Sequence, residues 1–225
     1  SSERKEPLFV ADGQSFSPDH FFVPAHYKDD IETILLPRGL VVDRTKQLAN
    51  EIYHAHPGQT LHFLCVLKGG HQFFSDLLEQ VSLVHQLSRG THVPYSFDFI
   101  SVKSYEGTSS SGEVQVIGNL GSCKDRAVIV VEDIIDTGLT MTKLIPLIES
   151  HGANSVKVAS LLEKRTDRSC GFKATFVGFS VPDVFIIGCG LDYNEAYRDL
   201  EHVCVINSAG VERYKHGLAK SVPSV

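Results

Sequence analysis

Three carboxylates, Glu132, Asp133 and Asp136, stand directly before a run of small residues, Thr137, Gly138, Leu139 and Thr140. The small residues follow a buried apolar run, Ala127 to Val131, and lead into a helical pattern. A loop so placed offers free backbone N–H groups and two hydroxyls, a cradle for phosphate. Glu132 and Asp133, directly after a strand buried on both faces, would each be costly unless they met hydroxyls, cations or a metal. Vicinal ribose hydroxyls suit them. The segment therefore reads as a seat for a sugar phosphate, acids at the hydroxyl end and N–H groups at the phosphate end. Taken alone, Asp136-Thr137-Gly138 reads equally well as a plain turn with Asp136 capping the next helix. No GxxxxGK[ST] occurs, which argues against a P-loop NTPase, and no strand-linked GxGxxG followed by an acid supports a nicotinamide-dependent oxidoreductase.

The elements that must hold these residues show as apolar runs, each followed by a turn and a 3.6-residue period. Leu61 to Leu67 predicts a buried strand, Lys68-Gly69-Gly70 a tight turn, and Phe74, Leu77, Leu78 and Val81 one face of a helix. Ala127 to Val131 predicts a second strand, followed by a helix with Met141, Leu144, Ile145 and Ile148 inward and Gly152 at its end. Pro146 interrupts that helix, and an interior proline costs about 3 kcal/mol, so the helix is expected to bend there or start late. Ser96 to Val102, Val156 to Leu162, Val184 to Gly188 and Val203 to Ile206 complete a sheet of about five or six strands. The expected fold is an open, mostly parallel α/β sheet flanked by helices. In such sheets ligands sit at the carboxyl ends of the strands. Lys68, Glu132 to Thr140, Lys164 and Asp192 all fall at those ends. The small polar stretch between Ser104 and Gly118 reads either as a lid over that crevice or as an ordinary flexible hairpin.

The bulk composition narrows the setting. With 225 residues, 42% of them hydrophobic, the chain can bury one substantial core. A formal charge of −6 makes nucleic acid an unlikely general partner. No apolar run approaches the ~20 residues that span a bilayer, and Ser1 to Glu6 lacks the apolar core of a signal peptide. The five cysteines, Cys65, Cys123, Cys170, Cys189 and Cys204, are scattered without a CxxC pair, so reduced thiols and a cytoplasmic setting are expected. The pairs His54/His56 and His62/His71 form no convincing metal constellation and read as surface or core residues.

At this point "VVEDIIDTG" resembles the phosphoribosyl-diphosphate (PRPP) motif of type I phosphoribosyltransferases. "LPRGLVVDR", "CVLKGG", "KSY", "VKVASLLEKRT" and "GLDYNEAYRDL" resemble, in that order over roughly residues 20–207, the hypoxanthine-guanine branch of the family. The resemblance implies one domain over 1–225, with a core of about 40–185 and a small hood from about 1–40 and 186–210. It implies a purine salvage enzyme that moves the 5-phosphoribosyl group of PRPP to hypoxanthine or guanine, giving IMP or GMP plus diphosphate, with Mg²⁺. A homodimer or homotetramer is implied, with neither nucleic acid nor membrane as partner.

By the same resemblance, Thr137, Gly138, Leu139 and Thr140 hold the 5′-phosphate. Glu132 and Asp133 face the ribose hydroxyls and metal, and Asp136 is the general base near purine N7. Lys68 and Gly69, with Arg198, approach the diphosphate, and members often have a cis peptide at the position of Leu67-Lys68. Lys164 donates to the 6-oxo group, Phe185 stacks on the purine, and Ile134 and Ile186 line it. Asp192 belongs to the base site and to the second magnesium. Ser104-Tyr105 is the dipeptide of a closing loop. Without the resemblance, Lys164, its neighbour Arg165 and Arg198 read as surface cations, Phe185 and Ile186 as core, Asp192 as a turn residue and the glycines as a tight turn.

Two departures from the family pattern stand out. Leu139 occupies a position where many members have lysine, and Cys189-Gly190 replaces a common Tyr-Ala. Cys189-Gly190 bears on packing behind the base, and Leu139 alone gives modest support to an alternative, a catalytically weak nucleotide-binding regulatory homologue.

Overall fold

The structure, a computed structural model, describes residues 4–87, 93–104 and 114–218. Its elements in chain order are β1 (Leu8–Phe9), β2 (Ile31–Leu36), α1 (Arg38–Ala55), β3 (Leu61–Leu67), α2 (His71–Leu87), β4 (Tyr95–Ser104), β5 (Val114–Ile117), β6 (Ala127–Ile135), α3 (Leu139–Ser150), β7 (Ser155–Lys164), β8 (Phe176–Val181), β9 (Ile186–Ile187), β10 (Val203–Ile206) and α4 (Ser208–Tyr214).

Seven strands form the main sheet in the order β1-β8-β7-β6-β3-β4-β5, parallel except for β5. Both faces are covered. Val41, Leu48, Ile52, Phe73, Leu77 and Val81 of α1 and α2 pack with Phe63, Ile129 and Val131 on one side. On the other, Met141, Leu144 and Ile148 of α3 pack with Leu64, Val128 and Val130. Burial on both faces explains why β3 and β6 read as continuous apolar runs. From β3 the chain moves to β4 on one side, and from β6 to β7 on the other. The order therefore reverses between β3 and β6, and at such a switch point a crevice opens at the carboxyl ends.

The structure corrects four sequence expectations. Val184–Gly188 and Val203–Ile206 do not join the main sheet. Residues 186–187 and 203–206 pair antiparallel with each other and with β2 in a separate three-stranded sheet. Glu132 and Asp133 lie within β6 rather than after it, because the ladder to β7 continues through Glu132 with Ser160 and Ile135 with Glu163. Helix α3 does not start late: it begins at Leu139 and continues through Pro146 to Ser150; three of its apolar residues are buried in the core, and that packing outweighs the missing N–H. Arg165 is no free surface cation. It donates to the carbonyls of Ser180 and Val10, each at 2.8 Å, and lies over the Phe9 ring, pinning β1 to the edge of the sheet.

Candidate active site

The carboxyl end of β6 brings two acids into direct contact. Asp133 is 8% exposed and Glu132 half-buried. Burial raises the pKa of Glu132 well above the usual range, and the adjacent Asp133 charge raises it further. Burial also raises Asp133, against the opposing pull of a hydrogen bond from Glu132, the N–H of Ile134 at 2.7 Å and the charge of Arg198. Burial therefore disfavours both acids standing ionised side by side in the free protein.

The β3–α2 turn closes on this pair. The Leu67-Lys68 peptide is cis. A Cβ placed on Gly69 would lie 1.7 Å from Asp133 Oδ2, so only glycine lets the turn meet the carboxylate. Gly190 lies behind it, with φ +95°, where a Cβ would come within 2.4 Å of the Gly69 carbonyl oxygen. The Cys189-Gly190 departure thus sits directly against the Lys68–Gly69 turn, with Cys189 itself buried.

From the segment after β9, Arg198 donates to the Gly190 carbonyl at 2.9 Å and pairs with Asp192 at 2.8 Å. The other Asp192 oxygen accepts the N–H of Glu195 at 2.7 Å. Lys68 pairs with Glu195 at 3.0 Å, and that contact, before all others, holds the Glu195 carboxyl below its usual pKa. Lys68, Gly69, Asp133, Asp192 and Arg198, distant in sequence, therefore meet.

The turn after β6 has Gly138 at φ +83° as the residue capping α3, with no side-chain cap. Asp136 is therefore not the helix cap. A Cβ on Gly138 would press on Phe172 Cβ at 2.7 Å and Cys170 Sγ at 3.1 Å, and the N–H of Cys170 donates to the Thr137 carbonyl at 2.8 Å. The loop is braced from below, while the first N–H groups of α3, beginning at Leu139 and Thr140, lack intrahelical partners, as in any helix start. Leu139 is 51% exposed and adds no charge there.

Asp136 instead meets cations. Its two oxygens face Lys164 Nζ at 3.4 Å and Arg168 at 3.1 Å, and Asp183 accepts from Arg168 at 3.2 Å. A hydrogen bond from Thr166 and these two cations hold Asp183 below the ordinary carboxylate pKa. Lys164 is nearly buried, its side chain 10% exposed. Asp183, 3.8 Å from Lys164 Nζ, stands two residues before Phe185, which is 53% exposed with its ring edge-on to Tyr193, and Ile186 is buried in β9. Ile134 is partly buried against the core. An exposed phenyl ring on the segment whose Asp183 faces a buried ammonium suits a flat, polar-edged ring.

Ser104 ends β4, and Tyr105 lies outside the described residues. Arg168, Asp183 and Glu195 escaped the sequence reading. The only available signal was the density of charge at the end of β7 and just after it, Glu163-Lys164-Arg165-Thr166-Asp167-Arg168. Nothing in the sequence shows that Asp183 folds back onto it.

A divalent cation fits the donor set. Among the described residues no group of three or more His, Cys, Asp and Glu side chains is arranged around a metal. Mg²⁺, however, commonly takes one or two carboxylates and draws its remaining ligands from substrate oxygens and water. The buried Glu132–Asp133 pair, whose joint ionisation burial disfavours, offers hard oxygens for that purpose.

Comparison with known proteins agrees with this geometry. Residues 33–194 match the model of the phosphoribosyl transferase domain. The hypoxanthine-guanine phosphoribosyltransferase of Canis lupus familiaris is 47% identical over 206 residues, covering 91% of this chain and 94% of that protein. The Homo sapiens protein of the same name is 46% identical over 215 residues, covering 94% and 98%. A crystal structure of hypoxanthine-guanine phosphoribosyltransferase from Schistosoma mansoni in complex with IMP superposes with a TM-score of 0.78 at 36% identity, covering 92% of this chain and 98% of that one. With a family model matched over most of its length and relatives 46–47% identical over more than nine-tenths of it, the chain belongs to the phosphoribosyltransferase family, within its hypoxanthine-guanine branch.

Proposed function

We propose that the chain transfers the 5-phosphoribosyl group of PRPP to hypoxanthine or guanine, forming IMP or GMP and releasing diphosphate. The observation that carries the reading is the meeting of Lys164 with Asp136 at the head of the phosphate loop. A buried ammonium donates to a 6-oxo group and gives a 6-amino group no acceptor, so it selects hypoxanthine or guanine over adenine. The carboxylate beside it takes the proton at N7 as positive charge develops on the attacking base. The bond from N9 to the anomeric carbon forms as the bond from that carbon to the diphosphate oxygen breaks, with inversion.

In this reading Thr137, Gly138, Leu139 and Thr140 seat the 5′-phosphate on backbone N–H groups and hydroxyls. Glu132 and Asp133 bind the ribose hydroxyls. Phe185 stacks on the purine, with Ile134 and Ile186 along its edges. Lys68, the N–H groups of the Gly69 turn and Arg198 receive the diphosphate. Glu132, Asp133 and Asp192 would hold Mg²⁺ together with substrate oxygens. When bound, that ion neutralises charge on the departing diphosphate. Ser104 and Tyr105 would close over the site and keep water from the reacting carbon.

The proposal extends to a core of about 40–185 under a hood from about 1–40 and 186–210. It extends also to a homodimer or homotetramer, for which Phe97 and Phe99, 48% and 44% exposed on β4 beside Phe74, are suitable contact residues. A cytoplasmic setting belongs with it: all five cysteines are free thiols, and among the described residues no helix is long and apolar enough to cross a membrane.

The test is turnover with PRPP, Mg²⁺ and each of hypoxanthine, guanine, xanthine and adenine. Nucleotide should form from hypoxanthine and guanine and not from adenine. Asp136→Asn should lower kcat by about 10²- to 10⁴-fold while IMP still binds. Tight binding of IMP without any PRPP-dependent turnover would instead make the chain a nucleotide-binding regulator.

A further inference from the structure

Among the described residues, Glu195 is the one carboxylate that pairs with both side-chain cations assigned to the diphosphate. Its Oε2 lies 3.0 Å from Lys68 Nζ, and its Oε1 lies 3.4 Å from Arg198 Nη2. Each oxygen serves a different cation, and the two cations come from chain segments 130 residues apart, on the β3–α2 turn and after β9. Such a bridging anion has the charge and the two-sided contact that a diphosphate would offer.

The backbone holds Glu195 in this place at some cost. Asn194 and Glu195 both have left-handed φ, 50° and 72°, and Tyr197 follows at 72°. Non-glycine residues rarely adopt that region, and a run of them persists only where surrounding contacts impose it. Those contacts are present. The Glu195 N–H donates to Asp192 Oδ2 at 2.7 Å, and Asn194 donates to the Tyr214 carbonyl at 2.9 Å. The reciprocal hydrogen bonds of Tyr193 and Ala196 close a two-residue hairpin turn whose central positions take positive φ, and that turn presents Glu195 to the two cations.

We propose that the Glu195 carboxylate is a built-in stand-in for the leaving diphosphate, keeping Lys68 and Arg198 facing one another in the free protein and competing with diphosphate for them. The inference rests on the reading that these two cations receive the diphosphate. It gives the enzyme a way to hold two like charges close together before the substrate arrives. It also weakens the grip on the released product, because Glu195 takes back both cations as diphosphate departs.

The test measures binding of inorganic diphosphate, with MgCl₂ present, to the full chain by calorimetry, with IMP as the second probe. In Glu195→Gln and Glu195→Ala the competing charge is gone. Diphosphate should then bind about three- to tenfold more tightly, the range expected for two solvent-exposed ion pairs, and IMP should bind as before. Diphosphate should become a correspondingly stronger product inhibitor. If the wild type binds diphosphate and both variants bind it equally or more weakly, Glu195 is not a competitor and the inference falls while the assignment of the site stands. If both variants also lose IMP, Glu195 only supports the local fold, and the inference again falls. If diphosphate binds neither wild type nor variants, the assignment of Lys68 and Arg198 is wrong and the inference goes with it.

Discussion

Glu132 shows that the site is built at the expense of stability. Its proton affinity is raised by burial and by Asp133, so above the unfolded pKa the folded chain gives up this proton less readily than the unfolded chain does. For an acid shifted upward, the contribution to stability is greatest below the unfolded pKa, about 4.5, and declines as pH rises from there toward the folded value. Each tenfold change in proton affinity corresponds to about 1.4 kcal/mol. Glu132→Gln keeps a donor for Asp133 and removes the titration. Thermal melts without ligand should therefore show the variant above wild type at pH 7, the gap closing as pH falls below about 4.5, while affinity for PRPP with Mg²⁺ declines. A variant that melts below wild type at every pH would show that Glu132 stabilises the free protein and that burial does not dominate its energetics. Arg168 and Asp183 make the same point from the other side of the loop: Asp136 is not left open but held between cations before any purine arrives.

At the level of elements, the β3–α2 turn is the piece least able to change. A methyl group on Gly69 would collide with Asp133 Oδ2, and the opposite side of the turn is closed by Gly190. Gly69→Ala should cost about 1–3 kcal/mol through overpacking, lower the melting temperature, and raise KM for PRPP more than KM for the purine. Equal effects on both substrates would separate the turn from the diphosphate site. The elements that position this turn were largely legible in the sequence. Leu61–Leu67 and Val203–Ile206 begin and end where their apolar runs do, and β4 and β7 exceed theirs by one or two residues at each end. Strands β2 and β8 and helix α1 left weaker traces. The β8 segment Phe176–Val181 is broken by Gly178 and Ser180, yet a Cβ at Gly178 would meet the Leu161 carbonyl at 2.5 Å, so the apparent break is a site of close backbone approach. In α1 the apolar face is interrupted by Arg44, whose guanidinium donates to the carbonyls of Gly178 and Val177 at 3.0 and 2.9 Å. Within the site, the residues in one continuous motif could be read together. The contact of Arg168 with Asp183 depends on β7 and β8 lying side by side, and those of Glu195 on where the segment after β9 returns, and neither pairing is encoded in the local sequence.

Over the whole molecule, the small sheet must be held together for Phe185, Ile186, Asp192 and Arg198 to face the main one. Asp30 is central to that hold. It is fully buried just before β2, and its Oδ2 accepts from Tyr197 Oη at 3.0 Å and from Arg213 of α4 at 2.9 Å. It thereby joins residues from near the start of the chain, from beside Arg198 and from the last described helix. The Tyr197 hydroxyl, buried and donating to this carboxylate, has its pKa pushed up. Gly210 completes the fit, since a Cβ there would lie 2.8 Å from Tyr197 Oη and 2.9 Å from Asp30 Cβ. Removing one partner of a buried charged pair costs about 3–5 kcal/mol, because the other partner is left uncompensated; Arg213 is partly exposed, which places Asp30→Ala toward the lower end. The core under α3 contains no residue of the small sheet, and the core under α1 and α2, which takes in Leu35, Leu36, Ile186 and Val203, does not use Asp30. Hydrogen exchange should therefore show lost protection in β2, β9, β10 and α4, with β3, β6 and β7 still protected, and IMP should bind more weakly through the loosened Phe185 and Ile186. Protection lost equally throughout would mean that the two sheets unfold as one unit, and that the small sheet is part of the stability core and no separable cover over the site.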